Sequence, residues 1–165
     1  MTLASTTSER RDLFEQVIRQ RGKAFTQLAF CLCRDKEQAA EICAEAFARA
    51  WPHWRDGKID ELGPYVRQMV VNLCRKAWRR QLISRHYESQ LPTAIRSEAH
   101  SDFELIDAVL RLPPRQRVVV VLRYFEDLSE REIAELLSVA QGTVKSRMSR
   151  ALAALRSAVE DDSYA

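Results

Sequence analysis

Four cysteines and three histidines are the side chains of this sequence best suited to metal binding or redox chemistry. The cysteines are Cys31, Cys33, Cys43 and Cys74, and the histidines are His53, His86 and His100. The cysteines lack the Cys-x-x-Cys spacing with later ligands that is typical of structural zinc sites. We therefore interpret them as reduced thiols that pack as small apolar side chains. A thiol or metal sensor built from the four cysteines is the alternative, and we assign the histidines no role.

The sequence offers no recognisable combination of nucleophile, base and orienting group, and no glycine-rich phosphate loop. We therefore predict that the protein is not an enzyme and has no catalytic residues, no cofactor and no metal. The strongly apolar run Val118–Leu122 is far too short to span a bilayer. The first residues, Met1–Ser8, lack the basic and then apolar layout of a signal peptide. These features predict a cytoplasmic protein that does not associate with membranes.

Positive charge is concentrated in two stretches of the chain, although the net charge is only +3. The first stretch, Leu62–Tyr87, contains no acidic residue and carries Arg67, Arg75, Lys76, Arg79, Arg80 and Arg85. The second, Gly142–Ser157, also lacks acids and carries Lys145, Arg147, Arg150 and Arg156. Basic segments without neighbouring carboxylates are typical of polyanion-binding surfaces. The two stretches are therefore the candidate nucleic-acid contacts.

The elements that position the first basic stretch are predicted from the spacing of apolar residues. One or two helices should cover Glu9–Arg34, and another should run from Lys36 to Trp51, where Pro52 is expected to end it. An ordered loop is predicted over Arg55–Gly63. A long helix then follows from Tyr65 to about Leu82. Its core flank is expected to contain Val66, Met69, Val70, Leu73 and Cys74, and its opposite flank Gln68, Asn72, Arg75, Lys76 and Arg79.

The composition changes between the two halves of the chain. Residues 84–102 are rich in Ser, Glu, Gln and His, which is typical of a flexible linker. We therefore predict an all-α protein with two small helical domains, residues 9–83 and residues 103–160, joined by this linker.

The second domain is predicted to contain a helix-turn-helix. After helices over Phe103–Arg111 and Arg115–Phe125, Ser129 and Glu132 have the spacing of a capping box at the start of a short helix. A turn over Ser138–Gly142 should lead into a last helix over Thr143–Val159. Its predicted inner stripe contains Val144, Met148, Ala151, Leu152, Leu155 and Val159. A small, polar and cationic outer face would then suit the major groove of DNA.

Several motifs resemble those of extracytoplasmic-function (ECF) sigma factors, a group of the sigma-70 family of RNA polymerase sigma factors. The segments Leu112–Arg117, Leu122–Ser129, Ile133-Ala134, Gly142–Arg147 and Arg150-Ala151 resemble the σ4 domain. The segments Ala40–Trp51, Tyr65–Leu73 and Trp78–Arg80 resemble the σ2 domain more loosely. The residues of these motifs are most similar to those of the SigE-like group. The resemblance covers nearly all of the chain outside the linker and the termini.

The resemblance implies a σ2-like helical bundle, a σ4-like helix-turn-helix domain and a set of contacts for each. The σ2-like domain would bind the clamp helices of the largest RNA polymerase subunit, and the loop Arg55–Gly63 would help to capture a flipped base. Promoter DNA and core RNA polymerase are the implied partners, including the flap of its second subunit, and an anti-sigma factor is the implied regulator. The implied site residues are Glu41, Glu45 and Arg49 for polymerase, Asn72, Arg75, Lys76, Arg79 and Arg80 for the −10 element, and Thr143, Lys145, Ser146, Arg147 and Arg150 for the −35 element.

Three positions depart from the family pattern. Ala44 stands where Gln is usual, Lys76 stands where Asp is common, and Ala140-Gln141 is a poor cap for the last helix. The alternative function is a stand-alone helix-turn-helix regulator that binds operator DNA without polymerase. Such regulators usually dimerise on two half-sites, and the sequence has no obvious spare dimerisation helix.

Overall fold

A computed structural model of the chain describes residues 3–85 and 102–162. The chain divides into two compact units, Met1–Leu82 and Ile83–Ala165. Every regular element of the described ranges is an α-helix, which confirms the all-α fold. The first unit is built from α1 (Leu3–Cys33), α2 (Lys36–Arg55) and α3 (Leu62–Arg85). The second is built from α4 (Asp102–Arg111), α5 (Pro114–Tyr124), α6 (Glu130–Leu137) and α7 (Gln141–Asp162). Of the predicted linker, residues 86–101 lie outside the described residues.

The predicted N-terminal segment forms one continuous helix, and a short turn separates it from α2. Arg34 ends α1 in the left-handed region with a φ of 65°. The Asp35 carboxylate then caps α2 by accepting a 2.9 Å hydrogen bond from the Gln38 amide. A turn this short places α1 and α2 side by side in opposite directions.

Aromatic rings join α1 to α2 in the core of the first unit. Phe14 meets Phe47 at 5.9 Å and Trp51 at 5.0 Å between ring centroids, and Phe25 meets Phe47 at 5.8 Å. Such edge-on pairs add to the stabilisation from burying the rings themselves. The inward face of α2 is the predicted one, since Ala39, Ile42, Cys43, Ala46, Phe47 and Ala50 are all buried.

The prediction that Pro52 ends α2 is wrong, because the helix continues to Arg55. Proline disrupts a helix through its missing N–H and its ring. Here the next turn is held by other bonds, since the Pro52 carbonyl accepts a 3.0 Å bond from the Asp56 amide. Trp54 also bonds to α1 through its indole Nε1, which lies 2.8 Å from the Arg10 carbonyl. These contacts stabilise the turn beyond the proline.

The loop between α2 and α3 is shorter than predicted and covers residues 56–61. Gly57 adopts a φ of +68°, a conformation that favours glycine. Helix α3 begins at Leu62, three residues before the predicted start, and contains Pro64 in its first turn, where the missing N–H costs no helical bond. Its core flank matches the prediction for Val66, Val70, Leu73 and Cys74, whereas Met69 is only half-buried and Val71 is fully buried.

The core of the second unit centres on α5, where every residue from Arg117 to Leu122 is buried. A helix buried on all sides contacts neighbours around its circumference, and α5 packs against α4, α6 and α7. The Arg117 guanidinium donates a 2.7 Å hydrogen bond to the Leu110 carbonyl near the end of α4. This bond satisfies a helix-end acceptor that has no partner within α4.

The helix-turn-helix forms as predicted, with α6 beginning in a capping box. The Ser129 hydroxyl accepts a 3.2 Å bond from the Glu132 amide, and the Glu132 carboxylate accepts a 2.7 Å bond from the Ser129 amide. Ser138 ends α6 in the left-handed region with a φ of 54°. Helix α7 begins at Gln141, two residues before the predicted start.

The inner face of α7 is narrower than the sequence predicted. Val144, Met148, Ala151 and Leu155 are buried, whereas Leu152 is 37% exposed because it lies at the edge of the apolar stripe. The side chain of Val159 lies outside the described residues. None of the described helices is both long enough and apolar enough to cross a membrane.

Candidate nucleic-acid and partner interfaces

The outer face of α7 carries the side chains predicted to read the −35 element. With about 100° of rotation per residue, Thr143, Ser146 and Arg150 project away from the buried Val144 and Met148. Ser146 and Arg150 are exposed, and Thr143 is half-buried. The Ser146 hydroxyl donates a 3.1 Å bond to the Thr143 carbonyl, which leaves its oxygen lone pairs directed outward as acceptors.

The two remaining cations of this set lie on opposite edges of α7. Lys145 lies beside α6, with its Nζ 4.0 Å from a Glu130 carboxylate oxygen. Arg147 lies on the side of α5, close to Arg115. Burial, followed by the positive charge of Arg115, lowers the pKa of the Arg147 guanidinium. The guanidinium still remains charged at neutral pH because its ordinary pKa is so high.

Arg115 extends this cationic surface onto the first turn of α5, a contribution that the sequence prediction missed. Two guanidinium groups that repel one another are stabilised when a negatively charged phosphate binds between them. The hydrophobic spacing could place Arg115 on a helix but gave no indication that this helix start lies next to α7.

The exposed face of α3 holds the residues predicted for the −10 element. Asn72, Lys76, Arg79 and Arg80 are exposed, and Arg75 is half-buried. Asn72 accepts a 3.2 Å bond from the Gln68 side-chain amide, one turn earlier on the same face. In the part of the chain that the structure describes, no carboxylate forms an ion pair with Lys76, Arg79 or Arg80. This face is therefore cationic over several turns.

The residues predicted to bind polymerase lie on the solvent side of α2. Glu41, Glu45 and Arg49 are all exposed and one turn apart, opposite the buried face. Glu45 and Arg49 already form an ion pair within the helix. Such an exposed pair contributes about 0.3–0.5 kcal/mol and exchanges readily for an intermolecular contact.

The α2–α3 loop forms a second small charged cluster that spacing alone did not reveal. Asp56 lies 2.9 Å from Arg55 Nε and 3.5 Å from Lys58 Nζ. The hydrogen bond from the Arg55 side chain is the main reason why the pKa of the Asp56 carboxyl is lowered. Across the loop, the His53 and Tyr65 rings lie 5.9 Å apart between centroids. The ends of the loop are therefore close together.

The cysteines are embedded in the helical packing of the first unit. Cys33, Cys43 and Cys74 are buried, Cys31 is half-buried, and none of the four forms a disulfide. Cys43 Sγ lies 3.7 Å from the Gly22 carbonyl and Cys74 Sγ lies 3.9 Å from the Ala29 carbonyl. Over the described ranges, no three His, Cys, Asp or Glu side chains lie together as a metal site would require. These contacts match those of small packing residues.

The three tryptophans occupy half-buried packing positions. Trp51 packs on Phe14, Trp54 contacts Arg10, and Trp78 Nε1 donates a 3.0 Å bond to the Leu32 carbonyl. Each indole is therefore held by contacts within the first unit.

Two all-helical units, one of them a helix-turn-helix and each with a cationic face, define a modular nucleic-acid-binding protein. Residues 17–82 match the family model of sigma-70 region 2, and residues 102–155 match that of sigma-70 region 4. This chain belongs to the sigma-70 family of RNA polymerase sigma factors, as an ECF member.

Several sigma factors are similar in sequence to this chain over most of the length of both proteins. The RNA polymerase sigma-E factor of Streptomyces avermitilis is 36% identical over 153 residues, which is 89% of this chain and 85% of the relative. The sigma-E factor of Streptomyces coelicolor is 36% identical over 148 residues, covering 87% and 84%. The ECF sigma factor SigM of Mycobacterium tuberculosis is 30% identical over 157 residues, covering 93% and 80%.

Two solved structures share the fold at 20% sequence identity. The sigma factor RpoE in complex with the anti-sigma factor NepR from Bartonella quintana gives a TM-score of 0.72 and covers 89% of this chain and 96% of RpoE. CnrH in complex with the cytosolic domain of CnrY gives a TM-score of 0.65 and covers 97% and 96%.

Proposed function

We propose that this protein binds core RNA polymerase and directs it to a specific set of promoters, recognising and melting the −10 element and recognising the −35 element. The observation that carries this proposal is the presence of exposed cationic side chains on α3 and on α7, one helix in each of the two matched sigma regions. The proposed site of action is the cytoplasm, where polymerase is found. As a specificity factor, the protein would contribute no catalytic group of its own.

The proposed −35 contacts lie on the exposed face of α7. Thr143, Ser146 and Arg150 would approach base edges, because small side chains permit close approach and Arg forms paired hydrogen bonds with guanine. Lys145 and Arg147, on the two edges of the helix, would contact the phosphates that flank the groove. Arg115 would add a further phosphate contact beside Arg147.

The proposed −10 contacts lie on α3 and the loop that precedes it. Arg75, Lys76, Arg79 and Arg80 would attract the displaced single strand, and Asn72 would hydrogen-bond to a base. The loop around Gly57 would receive an extruded base. Lys76 replaces the acid that is common in the family, so a phosphate contact at this position is expected to be stronger.

The proposed polymerase contacts are Glu41, Glu45 and Arg49 on the clamp helices, and the second unit would contact the flap. Regulation by an anti-sigma factor is proposed because a sigma factor with this fold, RpoE of Bartonella quintana, has been solved bound to one. Such a partner would cover the surfaces that face polymerase.

In vitro transcription with core polymerase tests the proposal. Promoters recovered from DNA that copurifies with the holoenzyme should support specific initiation. Changing the distance between the −35 and −10 elements by a few base pairs should reduce this initiation, because both units must bind one duplex. Core polymerase without the protein is the control. A folded protein that bound DNA but neither associated with polymerase nor initiated transcription would instead be a stand-alone regulator.

The cysteine alternative has its own test. Replacing all four cysteines by serine should leave transcription largely intact if they only pack, apart from a loss of stability. Bound metal in the purified protein, or loss of transcription from a variant that remains folded, would favour the sensor.

A further inference from the structure

The N-terminal part of α1 lies outside the match to sigma-70 region 2, which begins at residue 17. It is nevertheless part of the folded first unit. Phe14 is 8% exposed and packs on Phe47 and Trp51 of α2. The segment before residue 17 is thus fixed against α2, next to the point where the α2–α3 loop begins.

Arg10 binds Trp54 in the last turn of α2, immediately before that loop, through several atoms at once. Its Nη1 donates a 2.7 Å bond to the Trp54 carbonyl, and its own carbonyl accepts a 2.8 Å bond from Trp54 Nε1. The guanidinium also lies over the indole ring, 5.0 Å from the centroid. Reciprocal hydrogen bonds combined with cation–π stacking fix both side chains in one arrangement.

The carbonyl that Arg10 binds also closes the turn at the start of the loop. The Trp54 carbonyl accepts a 3.1 Å bond from the Gly57 amide. The guanidinium lies so close to this turn that a Cβ on Gly57 would be 3.6 Å from Arg10 Nη2. Arg10 is therefore coupled to the left-handed turn at Gly57 through a shared acceptor.

Arg21 lies close to the other end of the loop. Its guanidinium lies over the ring of the buried Phe25, 5.0 Å from the centroid. A Cβ on Gly63, in the first turn of α3, would lie only 2.8 Å from Arg21 Nη1. Arg10 and Arg21 are eleven residues apart, which is about three helical turns, so both project from the same side of α1.

We propose that Arg10 and Arg21 of α1 act as a two-point brace that fixes the α2–α3 loop and thereby sets which base the loop accepts at the −10 element. Both are positioning residues, since neither needs to touch DNA. This inference rests on the proposed function, in which the loop receives an extruded base.

Backbone hydrogen bonds hold the first turn of the loop, where the Asp56, Gly57 and Lys58 amides donate to the Pro52, Trp54 and His53 carbonyls. Its ion pairs, Arg55–Asp56 and Lys58–Asp56, are formed by exposed side chains and contribute little to rigidity. Discrimination between bases depends on a pocket whose groups are already in place, because each group that must be ordered on binding costs free energy. A brace from α1 would therefore sharpen the preference for one base.

The structural part of the inference is tested on the free protein by hydrogen exchange. Arg10→Ala and Trp54→Phe should each accelerate exchange of the Asp56, Gly57 and Lys58 amides by about three- to tenfold, because the first removes the guanidinium and the second the indole donor. The neighbouring variant Arg11→Ala is the matched control, since Arg11 is exposed on the same turn. Unchanged exchange of the three amides would overturn the brace.

The functional part is tested by base discrimination in holoenzyme assays. For each variant, open-complex formation is measured on the cognate promoter and on three altered promoters. Each altered promoter carries one of the other three bases at the −10 position that the loop is proposed to accept. Arg10→Ala and Arg21→Ala should reduce the ratio of cognate to substituted promoter by about three- to tenfold, while Arg11→Ala keeps it. Arg10→Lys should restore little, because lysine cannot reproduce the planar stacking of the guanidinium on the Trp54 ring.

The outcomes separate the brace from the proposed function. A loss of folded protein would lower activity on every promoter alike and leave the ratio unchanged, so an unchanged ratio overturns the inference even if total activity falls. A wild-type holoenzyme that initiates but has no base preference at that position would refute base capture by the loop. A wild-type protein that fails to initiate at all would refute the proposed function itself.

Discussion

Arg117 brings a full positive charge into the interior of the second unit, where it is 3% exposed. It donates to the Leu110 carbonyl at 2.7 Å and to the Leu112 carbonyl at 3.4 Å, across the break between α4 and α5. Helix-end carbonyls carry partial negative charge, which compensates part of the cost of burying the guanidinium.

Arg117→Met should destabilise the protein by about 1–3 kcal/mol, because the apolar replacement leaves buried carbonyls without their donor. The free energy of unfolding is measured by urea titration, and hydrogen exchange of the α5 amides reports the local effect. Arg131→Met is the control, since Arg131 forms only an exposed ion pair with Glu135. Equal stability of the two variants would contradict a structural role for Arg117.

The effect on −35 binding of replacing a basic residue of α7 by alanine should depend on where that residue lies on the helix. Arg150→Ala should weaken −35 binding by about 1–3 kcal/mol if the side chain reads a base. Arg147→Ala should cost a similar amount, since half-buried Arg147 is already oriented. Lys145→Ala should cost less, because Glu130 offsets part of its charge. Fluorescence anisotropy with −35 duplexes measures all three, and wild-type affinity of both arginine variants would refute the placement.

Arg115 is expected to contribute through phosphates rather than bases. Arg115→Ala should weaken binding to cognate and unrelated duplexes alike and reduce the slope of log K against log salt by about one. A salt titration of duplex binding measures that slope. Loss of affinity for the cognate sequence alone would show that Arg115 reads a base instead.

At the scale of the element, the start of α6 depends on its capping box. Ser129→Ala should destabilise the second unit by about 1 kcal/mol, because the Glu132 amide loses its acceptor. Ser129→Thr keeps the hydroxyl and is the control. Thermal unfolding measures the difference, and since the helix-turn-helix depends on α6, −35 affinity should fall with stability. Equal stability of the Ala and Thr variants would exclude the cap as a contributor.

Helix α2 extends beyond the end that its local sequence predicted at Pro52. The spacing of its apolar residues predicted the buried face, since helical periodicity requires only local geometry. Its end could not be predicted from Pro52, because the bonds between Trp54 and Arg10 join residues 44 apart in the chain. Tertiary contacts of this kind commonly override propensity at helix ends.

At the scale of the whole molecule, the two units are expected to act at different steps of initiation. Asn72→Ala and Arg79→Ala should leave recruitment to the promoter nearly unchanged and reduce the melted fraction by about tenfold, because single-strand contacts form only after opening. Permanganate footprinting measures melting and a mobility shift measures recruitment, with Gln81→Ala as the exposed control on α3. Equal melting by wild-type and variant holoenzymes would exclude these residues from strand capture.

The helical character, the faces of α2, α3 and α7, the capping box and the two basic stretches were all predictable from local patterns of residues. Each of these follows from periodicity, capping chemistry or local charge, which operate over a few neighbouring residues. The motifs that resemble sigma factors were likewise readable from residue identity alone.

Which of those residues lie next to one another depends on how the helices pack. The tertiary structure placed Arg117 among carbonyls of another helix, Lys145 beside Glu130, Arg147 beside Arg115, and Arg10 against Trp54. A basic side chain has the same local signal whether it is exposed, neutralised or buried, because its energy depends on the partners that the fold brings near. Those partners come from distant parts of the chain, and no local pattern encodes their approach.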